Sequence, residues 1–286
     1  MSYRIITDTC CDFPADMYED LNLSVVPLVV RFQDKEVTQY SEKWLKKMYA
    51  GMRAGEVATT AAANPRDWAA AIEPVLAAGE DALVLTFSSG LSTTYQSAVI
   101  AAADLGDQYP DRKIRVIDTL CASLGQGLLV WYACKKQSEG MGFEELGQWC
   151  EDNKMNLCHW FTVDDLMFLK RGGRVSTATA LVGTMLQIKP VLHVDNEGHL
   201  INVAKARGRK ASIEALAKKV GETGLPGEND TVFISHGDCL EDAKLLEKIL
   251  QEKYGVKSAF IYYVGAVIGS HAGPGTLALF FLGNKR

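Results

Sequence analysis

The sequence predicts an α/β protein in two parts: an N-terminal doubly wound domain with a mainly parallel sheet over residues 1–154, and a C-terminal α+β domain with a mixed sheet over residues 155–286. Three observations carry this. The chain has 286 residues, 48% of them hydrophobic, which is enough for a sizeable core and, by length, about two domains. In the first half, strand and helix patterns alternate with short links, the rhythm of a parallel sheet. In the second half, Asp195-Asn196-Glu197-Gly198 sits between two apolar runs as a hairpin turn, and a hairpin requires antiparallel pairing.

The chain opens with a strand at Arg4–Thr7, a turn through Asp8, Asp12 and Pro14, a helix to about Leu21 and a strand at Leu23–Val30. Asp8, Thr9 and Asp12 then lie at the carboxyl end of the first strand, where open α/β sheets place ligands. A helix starts at Ser41, and another is announced by Asn64 as N-cap with Pro65 in the first turn. Asp81–Phe87 reads as a buried strand, followed by a serine-rich turn and an alanine-rich helix. Ile114–Asp118 and Ala122–Lys136 are the next strand and helix. Beyond them come strands at Leu157–Val163, Pro190–Val194 and Leu200–Lys205, a helix from Lys210 to about Val220 and a linker at Pro226-Gly227. The strand Thr231–Ser235, the helix Leu240–Tyr254, the strand Lys257–Val264 and the closing run AVIGSHAGPGTLALFFLG complete the chain.

One stretch, DDLMFLKRGGRVS, puts Gly172 and Gly173 among Lys170, Arg171 and Arg174, ahead of a helix start at Ser176. Free amides at a helix N-terminus beside three cations favour an anion. The plainer alternative is a solvated basic loop, and no GK[ST] P-loop follows to exclude it.

Composition removes several function classes. The 30 basic and 35 acidic residues are spread along the chain and leave a net charge of −5, which argues against a nucleic-acid surface. The N-terminus lacks a signal-peptide core and the longest apolar runs are too short to span a bilayer, so a cytoplasmic protein is expected, with at most transient membrane contact. Seven cysteines without a CxxC pair indicate neither a disulfide framework nor a zinc site. Cys150 and the Cys158-His159 pair form a metal set only on paper, and no metal is expected.

Three clusters of small and polar residues fall at element ends: Val57–Thr60, Phe87–Thr93 and Ile268–Gly275. Ser89-Gly90 lacks the leading glycine of a nucleophile elbow, so a serine hydrolase is disfavoured. Glycines on both sides of His271 fit a backbone that approaches a ligand closely, and they fit a capped turn histidine equally well.

Eight blocks in order, ITDTCCDFP, LTFSSGLSTTYQSA, VIDTLCASLGQG, DDLMFLKRGGRVS, LQIKPVLHVDNEGHL, KARGRKA, ISHGDCLEDA and IGSHAGPGTLALFF, resemble the DegV family of bacterial fatty-acid-binding proteins across nearly the whole chain. One block departs: the family's TSQPS reads TTAAANP at residues 59–65, without its glutamine and serine.

The resemblance implies a long-chain fatty acid in a tunnel between the two domains, with no other cofactor and no catalytic residue in this chain. Carried over by motif, the carboxylate would be held by Thr59, Ser92 and His271, with Thr60 and Ser89 as register alternatives. It further implies a partner ATP-dependent fatty acid kinase that converts the bound acid to an acyl phosphate for phospholipid synthesis. Arg207 and Arg209 beside Lys205 and Lys210 would then dock the kinase, and Arg171 and Arg174 would lie nearer the transferring phosphate. Burying about fourteen methylenes supplies on the order of 10 kcal/mol before ordering costs, so affinity comes from the tail and the head group needs hydrogen bonds rather than an ion pair. The competing reading is an enzyme acting on a phosphorylated small molecule through the Lys170–Arg174 turn.

Overall fold

The computed structural model describes residues 2–175 and 187–286. The helix start expected at Ser176 lies outside the described residues. Strand β1 (Tyr3–Asp8) ends in a 3-10 turn, Thr9–Cys11, because Asp8 accepts the Cys10 amide at 2.9 Å and Asp12 turns left-handed with φ 54°. Helix α1 (Ala15–Asp20) follows. The single strand expected at Leu23–Val30 is two, β2 (Ser24–Val26) and β3 (Val29–Phe32). They part at Pro27, which has no N–H to give to a ladder. Strand β3 folds back on β4 (Lys35–Val37), and helix α2 (Glu42–Arg53) is capped by Ser41, whose hydroxyl accepts the Trp44 amide at 3.3 Å. Thr59 and Thr60, expected in a loop, belong to a short strand β5 (Thr59–Ala61) with Thr60 opposite Val30 of β3.

Helix α3 (Pro65–Ala77) opens as expected: Asn64 accepts the Arg66 and Asp67 amides at 2.9 and 3.3 Å, and Asp67 accepts the Asn64 amide at 2.8 Å. Strand β6 (Asp81–Thr86), helix α4 (Thr94–Gln108), strand β7 (Ile114–Asp118) and helix α5 (Leu124–Ser138) keep the expected order. Helix α6 (Phe143–Asn153) is additional. The later elements are β8 (Leu157–Thr162), α7 (Met167–Arg171), β9 (Ile188–Val194), β10 (Leu200–Arg207), α8 (Arg209–Thr223), β11 (Thr231–His236), α9 (Leu240–Tyr254) and β12 (Ser258–Tyr263). The closing run divides into helix α10 (Ala266–Ala272) and strand β13 (Leu277–Leu282), so His271 sits in the last turn of a helix rather than in a loop.

Strands β2-β1-β6-β7 form a parallel sheet. All six residues of β6 are buried, as a parallel strand covered on both faces requires. The mixed sheet runs β10-β9-β8-β13-β11-β12, antiparallel throughout except for the β11–β12 pair. The hairpin at Asp195–Gly198 joins β9 and β10 as expected. A small antiparallel sheet, β4-β3-β5, stands apart from both.

The halves interleave through two helices. Helix α5 packs on the turn after β1 and on β8, β11 and β13 of the mixed sheet, while α10 packs on α7 and on β3 and β5 of the small sheet. One core therefore runs from Leu83, Leu85 and Ile117 through Leu124 and Leu128 of α5 to Phe233 and Phe280.

Candidate ligand-binding site

A cavity of about 390 Å³ opens where these layers meet. Its walls are mostly apolar: Leu28 and Phe87 come from the first half, and Phe161, Val267, Ile268 and Phe280 from the second. The lining turns polar at Thr60, Ser89, Ser92, His271 and Arg174, and again at Ser123 and Ser235. An apolar chamber with a few convergent polar groups is the usual form of a small-molecule site.

Strand alternation points the two threonines to opposite sides. Thr59 is exposed, whereas Thr60 lines the cavity and its Oγ1 lies 2.8 Å from Nε2 of His271. Burial, aided by the Arg174 cation, lowers the His271 pKa to about 4, so the ring is neutral near pH 7. A neutral imidazole has one donor nitrogen. With the proton on Nε2 it donates to Thr60 Oγ1, leaving the threonine hydroxyl to donate to an anion in the cavity. The other ring nitrogen faces Gly172 so closely that a β-carbon at that position would collide with it, which explains a glycine at the end of α7.

The serine turn after β6 is fixed from below. Ser88 Oγ donates to the Gly198 carbonyl at 3.0 Å, tying the turn to the β9–β10 hairpin, and Asp118 Oδ1 accepts the Ser89 amide at 3.1 Å. Ser92 Oγ lies 2.8 Å from Thr94 Oγ1 and accepts the Thr94 amide at 3.3 Å. Ser92 therefore keeps a donor for a ligand when Thr94 supplies the shared proton.

The four arginines separate. Arg174 is partly buried in the cavity wall, its Nε donating to the Leu91 carbonyl at 3.1 Å beside Ser92. It brings a cation beside Ser92 and His271. Arg171 is exposed, with its guanidinium 5.3 Å from the Phe168 ring centre. Arg207 is exposed at the end of β10. Arg209 is held by Asp242 at 2.8 Å and Asp164 at 3.6 Å, which leaves it committed within the chain.

Sequence reasoning missed the deeper polar wall. Ser123, at φ 55° and ψ −147°, donates to Asp12 Oδ2 at 2.5 Å and lies 3.1 Å from Ser235 Oγ; both serines line the cavity. Asp8 and Asp12, expected near a ligand, are buried. Asp8 accepts the Phe87 amide at 2.8 Å, and burial raises its pKa to about 6. Burial raises Asp12 to about 7 against the opposing Ser123 hydrogen bond. Their motifs were visible, but nothing in a lone serine foretells a strained backbone against a buried carboxylate. His159 also lines the cavity as a satisfied core histidine: Nδ1 pairs with the Leu157 carbonyl at 2.8 Å, and Nε2 accepts the Ala122 amide at 3.3 Å.

Among the described residues no group of three or more His, Cys, Asp or Glu could hold a metal ion, and no helix is long and apolar enough to cross a membrane. Cys10 and Cys11 are buried, and burial raises both thiols.

Comparison with known proteins bears on this cavity. The family model described as "Uncharacterised protein, DegV family" matches residues 2–284. The chain belongs to the DegV family. A DegV domain-containing protein of Clostridium perfringens is 43% identical over 286 residues, covering 99% of this chain and 98% of the relative. Among solved structures, a fatty-acid-binding DegV family protein of Thermus thermophilus superposes with a TM-score of 0.88 at 31% identity, over 99% of this chain and 100% of that one. A DegV family protein of Ruminococcus gnavus, refined with vaccenic acid, superposes with a TM-score of 0.86 at 26% identity, over 98% of this chain and 99% of that one. The DegV architecture, a parallel sheet joined to a mixed sheet, is thus shared along the full length.

Proposed function

We propose that this chain binds a long-chain fatty acid, with the tail in the apolar cavity and the carboxylate at Thr60, Ser92 and His271, and that it presents the acid to a partner ATP-dependent fatty acid kinase. The observation that carries the reading is the 2.8 Å Thr60–His271 pair beside Ser92 and Arg174 on the wall of a mostly apolar chamber. The fatty-acid-binding relatives of the same fold support it. Ser89 is held as a further lining hydroxyl, and Thr59, being exposed, is the weaker register.

The chemistry favours a carrier. An unpaired buried carboxylate would cancel much of the gain from the tail, whereas the Ser92 and Thr60 hydroxyls, the latter aimed by the neutral His271 ring, orient it. Arg174 adds attraction for the head group and, in the kinase reaction, for phosphate. The exposed Arg207 and Arg171 are the proposed contacts for an acidic kinase surface, an association that salt should weaken. Arg209 would act by fixing the start of α8. Residues 1–154 and 155–286 are retained as the two domains between which the ligand lies.

Mass spectrometry of the denatured, purified protein tests the ligand class. Near one equivalent of a long-chain fatty acid is expected. A phosphorylated metabolite in its place would favour an enzyme working through the Lys170–Arg174 turn.

A further inference from the structure

One guanidinium stands behind the serine turn. Arg286 makes five hydrogen bonds where the two halves meet: Nη1 donates to the Leu120 carbonyl at 2.7 Å and the Asp195 carbonyl at 3.3 Å, Nη2 to the Lys154 carbonyl at 2.8 Å and Cys121 Sγ at 3.1 Å, and Nε to the Leu157 carbonyl at 3.2 Å. All three nitrogens are engaged, and none of these partners is a carboxylate. A planar fork of fixed N–H donors reaches such a spread of acceptors, whereas a lysine ammonium is a single point with three donors.

Four of the five partners also belong to the supports of the turn that carries Ser92. The Cys121 carbonyl accepts the Ser88 amide at 3.1 Å. The Leu120 and Ser89 amides share Asp118 Oδ1, each at 3.1 Å. Lys154 Nζ donates to the Asp118 carbonyl at 2.9 Å. Asp195 opens the hairpin whose Gly198 carbonyl accepts Ser88 Oγ at 3.0 Å. Ser88 in turn holds the head-group residue, its carbonyl accepting the Ser92 amide at 3.2 Å. Arg286 itself does not line the cavity. We infer that Arg286 is a positioning residue for the carboxylate site: it fixes the serine turn from both halves at once and so sets where the Ser92 hydroxyl points. This rests on the fatty-acid reading above. A bolt that merely held the halves together would act on every head-group contact alike. Arg286 acts through Ser92, because Thr60 is carried by β5 and His271 by α10, and none of its hydrogen bonds reaches either element.

The Kd for labelled stearic acid, measured across a double-mutant cycle in the full chain, tests it. Arg286→Lys should raise the Kd roughly fivefold in the otherwise wild-type chain and in Thr60→Ala, and by less than about twofold in Ser92→Ala, where the hydroxyl it aims is gone. Ser88→Ala, which removes the tie to Gly198 and leaves Arg286 in place, should repeat the pattern and serves as the second arm should Arg286→Lys fail to fold. Equal fold-changes in the Ser92→Ala and Thr60→Ala backgrounds would overturn the assignment and leave Arg286 a structural bolt, as would an unchanged Kd in Arg286→Lys. Absence of saturable binding in the wild type would overturn the fatty-acid reading, and the assignment with it.

Discussion

Two histidines line one cavity, and the difference between their surroundings separates scaffold from site. Burial lowers the pKa of both. His159 lies in the middle of the mixed sheet with both ring nitrogens engaged by main-chain groups, so it has nothing left to offer a ligand. His271 ends a short helix, contacts Gly172 on one side and engages a threonine hydroxyl from a different sheet on the other. A polar side chain satisfied by backbone holds the fold. One satisfied by another side chain at a chamber wall can redirect its hydrogen bonds.

The largest expected effect tests the scaffold side. His159→Ala leaves a cavity and strands the Ala122 amide and the Leu157 carbonyl, so stability should fall by about 2–4 kcal/mol in denaturant unfolding. His271→Ala should cost less than about 1 kcal/mol in the same experiment, since its ring is only partly buried at a chamber wall. Comparable losses in the two variants would erase the distinction.

Next in size are the head-group variants. Under the proposed site Ser92→Ala removes a hydrogen bond to a buried charge worth about 1.5–3 kcal/mol and His271→Ala removes the donor that turns the Thr60 hydroxyl toward that charge, so in each the Kd for a labelled fatty acid should rise tenfold or more with the fold intact. Ser270→Ala provides the neighbouring control, because its hydroxyl donates to the Ala266 carbonyl at 2.7 Å within α10 and does not line the cavity.

A pH comparison sharpens the His271 assignment. Its folded pKa, about 4, is below the unfolded value near 6.5, so between these the native state binds fewer protons than the unfolded chain. This contribution is fully present above about pH 6.5 and is lost as pH falls toward 4. Asp8 and Asp12, whose pKa values are raised, tilt stability the opposite way over pH 4–7, so the readout is the wild type against His271→Gln. The variant should lose less stability on acidification, and parallel curves would contradict the buried neutral ring.

The smallest effect concerns docking. Arg207→Ala should leave fatty-acid binding unchanged and raise the apparent KM of the kinase for the loaded carrier, the more so at low salt. Loss of lipid binding in that variant would remove Arg207 from the docking surface.

Much of this was legible in the chain. The Asn64-Pro65 helix start, the buried strand at Asp81, the Asp195–Gly198 hairpin and helix Leu240–Tyr254 follow from local chemistry, and local chemistry is what a sequence displays. Strand β5 was not legible, because three residues with a threonine pair acquire strand character only from β3 beside them. The register between Thr59 and Thr60 depended on that missing strand. Asp12 was legible as a residue near a ligand, but its partner Ser123 was not, since their hydrogen bond joins positions more than a hundred residues apart. For the basic turn at Lys170–Arg174 the sequence allows an anion site or a solvated loop, and the structure divides it: Arg174 enters the cavity while Arg171 stays exposed.

The most direct test of a carboxylate held at the Thr60–His271 pair is the affinity of delipidated protein for one labelled long-chain fatty acid, measured in Thr60→Ala and Thr59→Ala side by side. Thr60→Ala should weaken binding roughly tenfold or more, and Thr59→Ala, on the exposed face of the same short strand, should bind as the wild type does. Equal affinities in the two variants, or the larger loss in Thr59→Ala, would contradict the account.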